Sequence, residues 1–309
     1  MDTKNILLIG GTGFLGSHLA HRLAEDNHNL TLPTRRRDHA KHLLVLPTAS
    51  VVEANVHDER TLDALMVGQD VVISLVGILH SRSGQPYGAD FARAHVALPE
   101  KILAACKRQG VKRLLHVSAL KAAPGAPSGY LRSKAAGEAV LLAAKDDIAL
   151  TMFRPSVIFG PDDAFLNVFA KLLRIFPVMP LACAEARFQP VFVRDVAAVV
   201  ADSLASEKSI GQTYPLCGPQ VYTLRQLVEY VGSITGRPRP VIGLPDVLSY
   251  LQAFAMEFVP NGPMSRDNYH SMQVDSVCEQ NCTLPFGRTA TALETIAPLW
   301  LAPPATRRT

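Results

Sequence analysis

Between Leu7 and Glu25 the chain reads LLIGGTGFLGSHLAHRLAE, with four glycines, Gly10, Gly11, Gly13 and Gly16, set between an apolar run and a helical pattern. Glycine loses the most backbone entropy on ordering, so four of them at one joint need a geometric reason. The spacing Gly10-x-x-Gly13-x-x-Gly16 offers one. A strand that turns straight into a helix, lets its backbone approach a bound group and packs helix on strand excludes a Cβ at each step. The helix N-terminus then presents unpaired N–H groups and a partial positive charge, which suit a pyrophosphate. The stretch predicts a phosphate-binding turn made of Gly10, Thr12, Gly13, Phe14, Leu15 and Gly16.

The rest of the first half repeats the same beat. β-rich apolar runs recur at Asn5–Ile9, Asn29–Leu32, Val51–Ala54, Val71–Leu75, Arg113–Val117 and Ala149–Phe153. Helical patterns fall between them at Gly16–Glu25, Glu59–Met66, Asp90–Arg108 and Tyr130–Ala144. Strands alternating with helices mean parallel βαβ units, hence an α/β, doubly wound parallel sheet. Past about residue 160 prolines multiply and the beat breaks. Residues 1–160 are expected to form the dinucleotide-binding domain, with 188–215 returning to it. A smaller irregular C-terminal lobe for substrate or partner is expected from 161–187 and 216–309.

The end of the second strand selects the dinucleotide. An NAD site of this kind wants a carboxylate about twenty residues past the glycines, to hold the ribose 2′-hydroxyl. Here the strand ends LTLPTRRR, so Arg35 and Arg36 stand where the acid belongs. A guanidinium fork suits a 2′-phosphate, and NADP(H) is expected to be preferred over NAD(H). After the third strand, Asn55 and Val56 lie at the level of an adenine ring.

A candidate catalytic set follows the fifth strand. Tyr130 and Lys134 are spaced i, i+4 on one helix and share a face. A phenol titrates near pH 10, and a neighbouring ammonium lowers that value toward the working range. Ser118, closing the fifth strand, is placed to hold a substrate oxygen.

With GGTGFLG, Ser118, Tyr130 and Lys134, FRPSVIFGP (Phe153–Pro161) and QPVFVRDVA (Gln189–Ala197), the chain resembles the extended short-chain dehydrogenases/reductases, or NAD-dependent epimerase/dehydratase family. Within it, HVSAL, YLRSKAAGE and the last two motifs are most similar to the branch holding the nucleotide-binding accessory subunit of respiratory complex I and its bacterial relatives. The resemblance implies a Rossmann-like fold and a catalytic Tyr–Lys pair. It implies that Leu75, Val76, Gly77, Pro155, Ser156 and Val157 neighbour the cofactor, and that Asp195 and Val196 are structural. Three functions follow: an oxidoreductase acting on a small-molecule substrate, a cofactor-binding protein of a membrane-bound quinone-linked enzyme or complex, or a sugar-nucleotide epimerase/dehydratase. His95 in place of the asparagine of many epimerases, and the basic end of the second strand, disfavour the third. His95 is expected to be a packing residue.

Composition narrows the rest. The chain has 309 residues and a net charge of +4, without the basic stripe and interleaved aromatics of a nucleic-acid binder. Five widely spread cysteines, Cys106, Cys183, Cys217, Cys278 and Cys282, read as reduced thiols, and no metal site is expected. With neither a signal peptide nor a spanning helix in view, the expected place is cytoplasmic, peripheral to the inner face of a membrane. Phe165–Leu181 and Leu244–Pro260 carry apolar faces, the second through Val247, Leu251, Phe254 and Phe258. Both faces are expected inside the second lobe; the alternative is docking to a membrane-bound partner or an isoprenoid substrate.

Overall fold

The computed structural model describes residues 2–259, 262–279 and 283–303. Two compact units emerge. The first runs to Pro155 and takes in Val193–Leu216 and Leu284–Arg288; the second takes Ser156–Phe192 with the described parts of 217–283 and 289–309. Residues 156–160 and 188–192, expected with the first unit, thus group with the second, while Leu216 and Leu284–Arg288, expected in the second lobe, group with the first.

Six strands of the first unit lie within two residues of the expected ones: β1 (Asn5–Ile9), β2 (Asn29–Thr34), β3 (Ala49–Glu53), β4 (Val71–Ser74), β5 (Arg113–Val117) and β6 (Ala149–Pro155). A seventh, Thr213–Leu216, pairs parallel with β6. The sheet order is Thr213–Leu216, β6, β5, β4, β1, β2, β3, all parallel. Strand order reverses between β1 and β4, whose Leu7 and Val72 are partners. At such a switch point the connections leave on opposite faces and open a crevice beyond the strands' carboxyl ends. Ile6–Ile9 and Val72–Ile73 are fully buried, as strands covered on both faces require.

The helices of this unit are α1 (Phe14–Glu25), α2 (Glu59–Met66), α3 (Ala89–Phe91), α4 (Leu98–Gln109) and α5 (Gly129–Leu142). Leu62 and Met66 of α2 join Leu98, Ile102 and Ala105 of α4 over Leu7, Val72 and Leu114 in one core cluster. Local chemistry sets the ends: Asp58 caps α2 by accepting from the Thr61 N–H at 2.8 Å, and Ser128 caps α5 through the Leu131 N–H at 3.2 Å. The helix expected across Asp90–Arg108 runs unbroken from Ala89 to Gln109 but is not α-helical throughout. Ala92–Ala97 is π-helical between α3 and α4, the wider turn that carries the buried His95.

In the second unit the Leu166–Ile175 and Leu224–Ile234 helices pack together, and Met179–Leu181 pairs parallel with Val241–Gly243. Two expectations fail here. Cys217 and Cys278 form a disulfide across 61 residues of sequence, so these two are not reduced thiols; Cys106 and Cys183 are free, and Cys282 lies outside the described residues. Contact between residues so far apart is set by the tertiary fold, which spacing does not encode. The Cys278 N–H donates to Gln189 Oε1 at 3.0 Å, and Gln189 Nε2 donates to the Gly218 carbonyl at 2.7 Å, so one amide spans both ends of the bridge. Second, the Asp246–Met256 helix does not bury its apolar face. It buries Ser249 and Ala253, while Val247, Leu251 and Phe254, with Phe258 beyond its end, are exposed. On that side the Ser249 hydroxyl accepts from the Cys183 N–H at 3.3 Å. Among the described residues no helix is long and apolar enough to cross a membrane.

Candidate functional site

The glycine turn is built as its spacing requires. Gly10 sits at φ +86°, where a side chain is strained, and a Cβ there would also lie 3.3 Å from Leu75 and Val76. A Cβ on Gly16 would meet the Gly10 carbonyl at 2.2 Å, which only its absence prevents. No side chain caps α1, whose N-cap is Gly13. Its first-turn N–H groups, from Phe14 to Gly16, are therefore left for an anion. Thr12 lies in the turn itself, while Leu75, Val76 and Gly77 leave the end of β4 beside it.

At the end of β2, the Thr34 hydroxyl donates to the Arg36 carbonyl at 3.1 Å and holds the arginine loop in a turn. A cavity of about 350 Å³ is lined there by Arg36, Arg37, Asp38, Lys41, Leu44 and Glu53. Arg36 was expected; Arg37 and Lys41 were not singled out, although RRRDHAK is visibly basic. Arg35 is not in the cavity wall. It lies toward His57, whose imidazole is held below its usual range by burial and then by Arg93, Lys101 and Arg35. Asn55 accepts from the His57 N–H at 3.1 Å, shaping the loop that carries Val56 past β3.

Lys134 is the centre of the remaining residues. Its ammonium is buried and donates to the carbonyls of Val76 and Val117, each at 3.3 Å, tying the ends of β4 and β5 together. Burial pushes its pKa down to about 8, against the pull of Glu138. Three N–H bonds and two long acceptors leave donor capacity unspent. Ser118, one residue past β5, has a buried hydroxyl with no hydrogen-bond partner among the described residues. Tyr130, half-buried, stands one turn before Lys134 on α5, its ring edge-on to Phe91 and His95 at centroid distances of 6.0 and 5.6 Å.

His95 does more than fill space. Its Nε2 accepts the Ile78 N–H at 3.0 Å, which leaves the proton on Nδ1 to donate to Ser133 Oγ at 2.8 Å. Ser133 Oγ in turn donates to the Tyr130 carbonyl at 2.7 Å. Burial and then Lys134 and His116 hold this imidazole far down, at about 2, so it stays neutral. Two further groups escape sequence reasoning. Glu138, one turn past Lys134, is buried and paired with Arg154 of β6, whose Nε donates to its Oε1 at 2.8 Å. The i, i+4, i+8 series Tyr130, Lys134, Glu138 was the available signal. His116, buried within β5, has no partner for Nδ1 among the described residues and is pushed down to about 3 by burial and Lys134.

Pro155 closes β6, its carbonyl accepting from the Leu120 N–H at 2.9 Å. Ser156 and Val157 belong to the second unit. There the Ser156 hydroxyl donates to the Ser276 carbonyl at 2.8 Å, and the Val157 carbonyl accepts from the Val191 N–H at 3.0 Å.

Residues 6–217 match the model of the NAD dependent epimerase/dehydratase family. Among curated proteins, the chain is 31% identical to a mitochondrial NADH dehydrogenase [ubiquinone] 1 alpha subcomplex subunit 9 of Arabidopsis thaliana, over 82% of this chain and 63% of that protein. It is 31% identical to a ceramide reductase of Caulobacter vibrioides, over 64% of this chain and 60% of the relative. The chain thus spans less than two thirds of either relative's length. A solved dTDP-glucose 4,6-dehydratase from Streptomyces venezuelae, with NAD bound, superposes with a TM-score of 0.68 at 20% identity, covering 78% of this chain and 84% of that one. That likeness establishes the Rossmann-like fold.

Proposed function

Because the chain belongs to the NAD dependent epimerase/dehydratase family, we propose that it is an NADP(H)-binding, reductase-like protein working beside quinone-linked membrane machinery. The observation that carries the nucleotide reading is Lys134: a buried cation without a carboxylate bonded to it, held by two long carbonyl contacts, with donor capacity left for ribose hydroxyls. The uncapped α1 N-terminus fits a pyrophosphate, and the cavity at the end of β2, where Lys41 pairs with Asp38 and Arg36 and Arg37 outnumber Glu53, suits a 2′-phosphate. Gly10 through Gly16 with Leu75–Gly77, Asn55, Val56, Pro155, Ser156 and Val157 are proposed as the remaining nucleotide neighbours.

A bound nicotinamide supplies or accepts hydride. The chain's own residues handle the proton and the oxygen. Tyr130 gives its phenolic proton to a carbonyl oxygen as hydride arrives, or takes it back in the reverse direction. Lys134 favours the resulting phenolate by its charge. The unpartnered Ser118 hydroxyl donates to the same oxygen and holds it in line. Glu138, tied to Arg154, keeps a counter-charge one turn from Lys134.

The named relatives support the setting, one as a subunit of a ubiquinone NADH dehydrogenase and one as a ceramide reductase. A cytoplasmic place against the inner face of a membrane is part of the same proposal. A sugar-nucleotide epimerase or dehydratase is the alternative; the basic cavity speaks against it, since the solved dehydratase holds NAD. Assaying Tyr130→Phe against carbonyl substrates tests turnover. A reductase should lose about 10²–10⁴ in rate with nucleotide affinity little changed. A fully active variant removes Tyr130 from the chemistry.

A further inference from the structure

The Asp246–Met256 helix is built the wrong way round for a core element. Toward its own unit it turns Ser249 and Ala253, and Gln252 bonds the Pro180 carbonyl and the Ala182 N–H. Toward solvent it turns a stripe at i, i+4, i+7 and i+11: Val247, Leu251, Phe254 and Phe258 are 72, 52, 41 and 74% exposed. Phe254 and Phe258 meet edge to face at a centroid distance of 5.2 Å, and the stripe stays open to solvent. A stripe of large apolar side chains on one exposed face marks an interaction surface.

Its charge says what kind. The acids beside the stripe are spoken for: Asp246 accepts from the Tyr269 hydroxyl, and Glu257 is held by Arg266, whose guanidinium rests 4.9 Å over the Phe254 ring. The cations are not. Lys171 and Arg174 are exposed on the Leu166–Ile175 helix, which leads into Phe176 and the strand that Gln252 grips, and Arg237 is exposed before the partner strand. None of the three forms an ion pair among the described residues.

We propose that this face lies on an anionic phospholipid bilayer, the apolar stripe entering the headgroup boundary and Lys171, Arg174 and Arg237 meeting lipid phosphates. The inference rests on the proposed membrane setting only for its location. Lipid binding is therefore measured on the nucleotide-free full chain, so that its failure leaves the nucleotide reading untouched.

The test is co-sedimentation with vesicles of phosphatidylcholine alone or with a third phosphatidylglycerol. Binding is expected to the anionic vesicles and to weaken with salt. Lys171→Glu with Arg174→Glu should cost at least twenty-five-fold in affinity, roughly fivefold for each cation removed. Phe254→Asp with Phe258→Asp should abolish binding with unchanged circular dichroism, because neither side chain is buried in the unit's core. Absence of binding to either vesicle, or equal binding by wild type and both double variants, overturns the proposal. So does a concentration-dependent dimer of the wild type that the Phe254→Asp, Phe258→Asp variant dissolves, which would assign the face to a second copy.

Discussion

His95 and Ser133 are joined by a buried 2.8 Å hydrogen bond that links the π-helical turn before α4 to the helix carrying Tyr130 and Lys134. Because His95 also accepts from Ile78, one neutral ring sets both the chain leaving β4 and the backbone of Tyr130.

Removing the ring's polar atoms should loosen both. His95→Leu leaves the Ile78 N–H and Ser133 without their partner, a cost of about 1–3 kcal/mol in stability, readable as a lowered urea midpoint. His95→Gln, which keeps an acceptor, should recover part of it. Equal midpoints for wild type and His95→Leu would show the bonds to be without weight.

Lys134 gives a prediction in pH. Its folded value, about 8, lies below the 10.5 of an unperturbed lysine, so between those values the unfolded chain binds more protons than the folded one. This group's contribution to stability therefore rises as pH goes from 8 to 10.5, and below 8 its buried charge is a net cost. Lys134→Met should stabilise the nucleotide-free protein at pH 7 and flatten that rise. A variant less stable than wild type at pH 7 contradicts this reading.

Arg35 and Arg36 should separate under mutation. Arg36 walls the basic cavity and Arg35 does not. Arg36→Ala is expected to weaken NADPH binding roughly ten- to a hundredfold, the worth of one charge-assisted contact, and to leave NADH nearly unchanged. Arg35→Ala should do much less. Similar losses for both would place the phosphate between them.

The Cys217–Cys278 bridge closes a loop of 61 residues of sequence. Cys217→Ser with Cys278→Ser should cost about 2–4 kcal/mol. Mass mapping under non-reducing conditions checks the pairing itself; two alkylatable thiols at those positions in native protein would refute it.

What was legible in the sequence was local. GGTGFLG announced its turn because the constraint at Gly10 and Gly16 falls within a few residues of the motif. The caps at Asp58 and Ser128, which bond N–H groups three residues ahead, are equally local although the sequence reading did not single them out. What stayed hidden depends on distant chain. The Thr213–Leu216 strand needs β6 to pair with, and Gln189 shows its role only when 218 and 278 converge on it. The apolar face of Val247, Leu251, Phe254 and Phe258 was visible in the sequence, but which side of the Asp246–Met256 helix turns inward is set by the burial of Ser249 and Ala253.

The most direct measurement is a calorimetric titration of the wild-type chain, cleared of bound nucleotide, with NADPH and separately with NADH. With Lys134 serving the ribose and the Arg36 cavity serving a 2′-phosphate, NADPH should bind ten- to a hundredfold more tightly. Equal affinities, or tighter binding of NADH, would contradict the account.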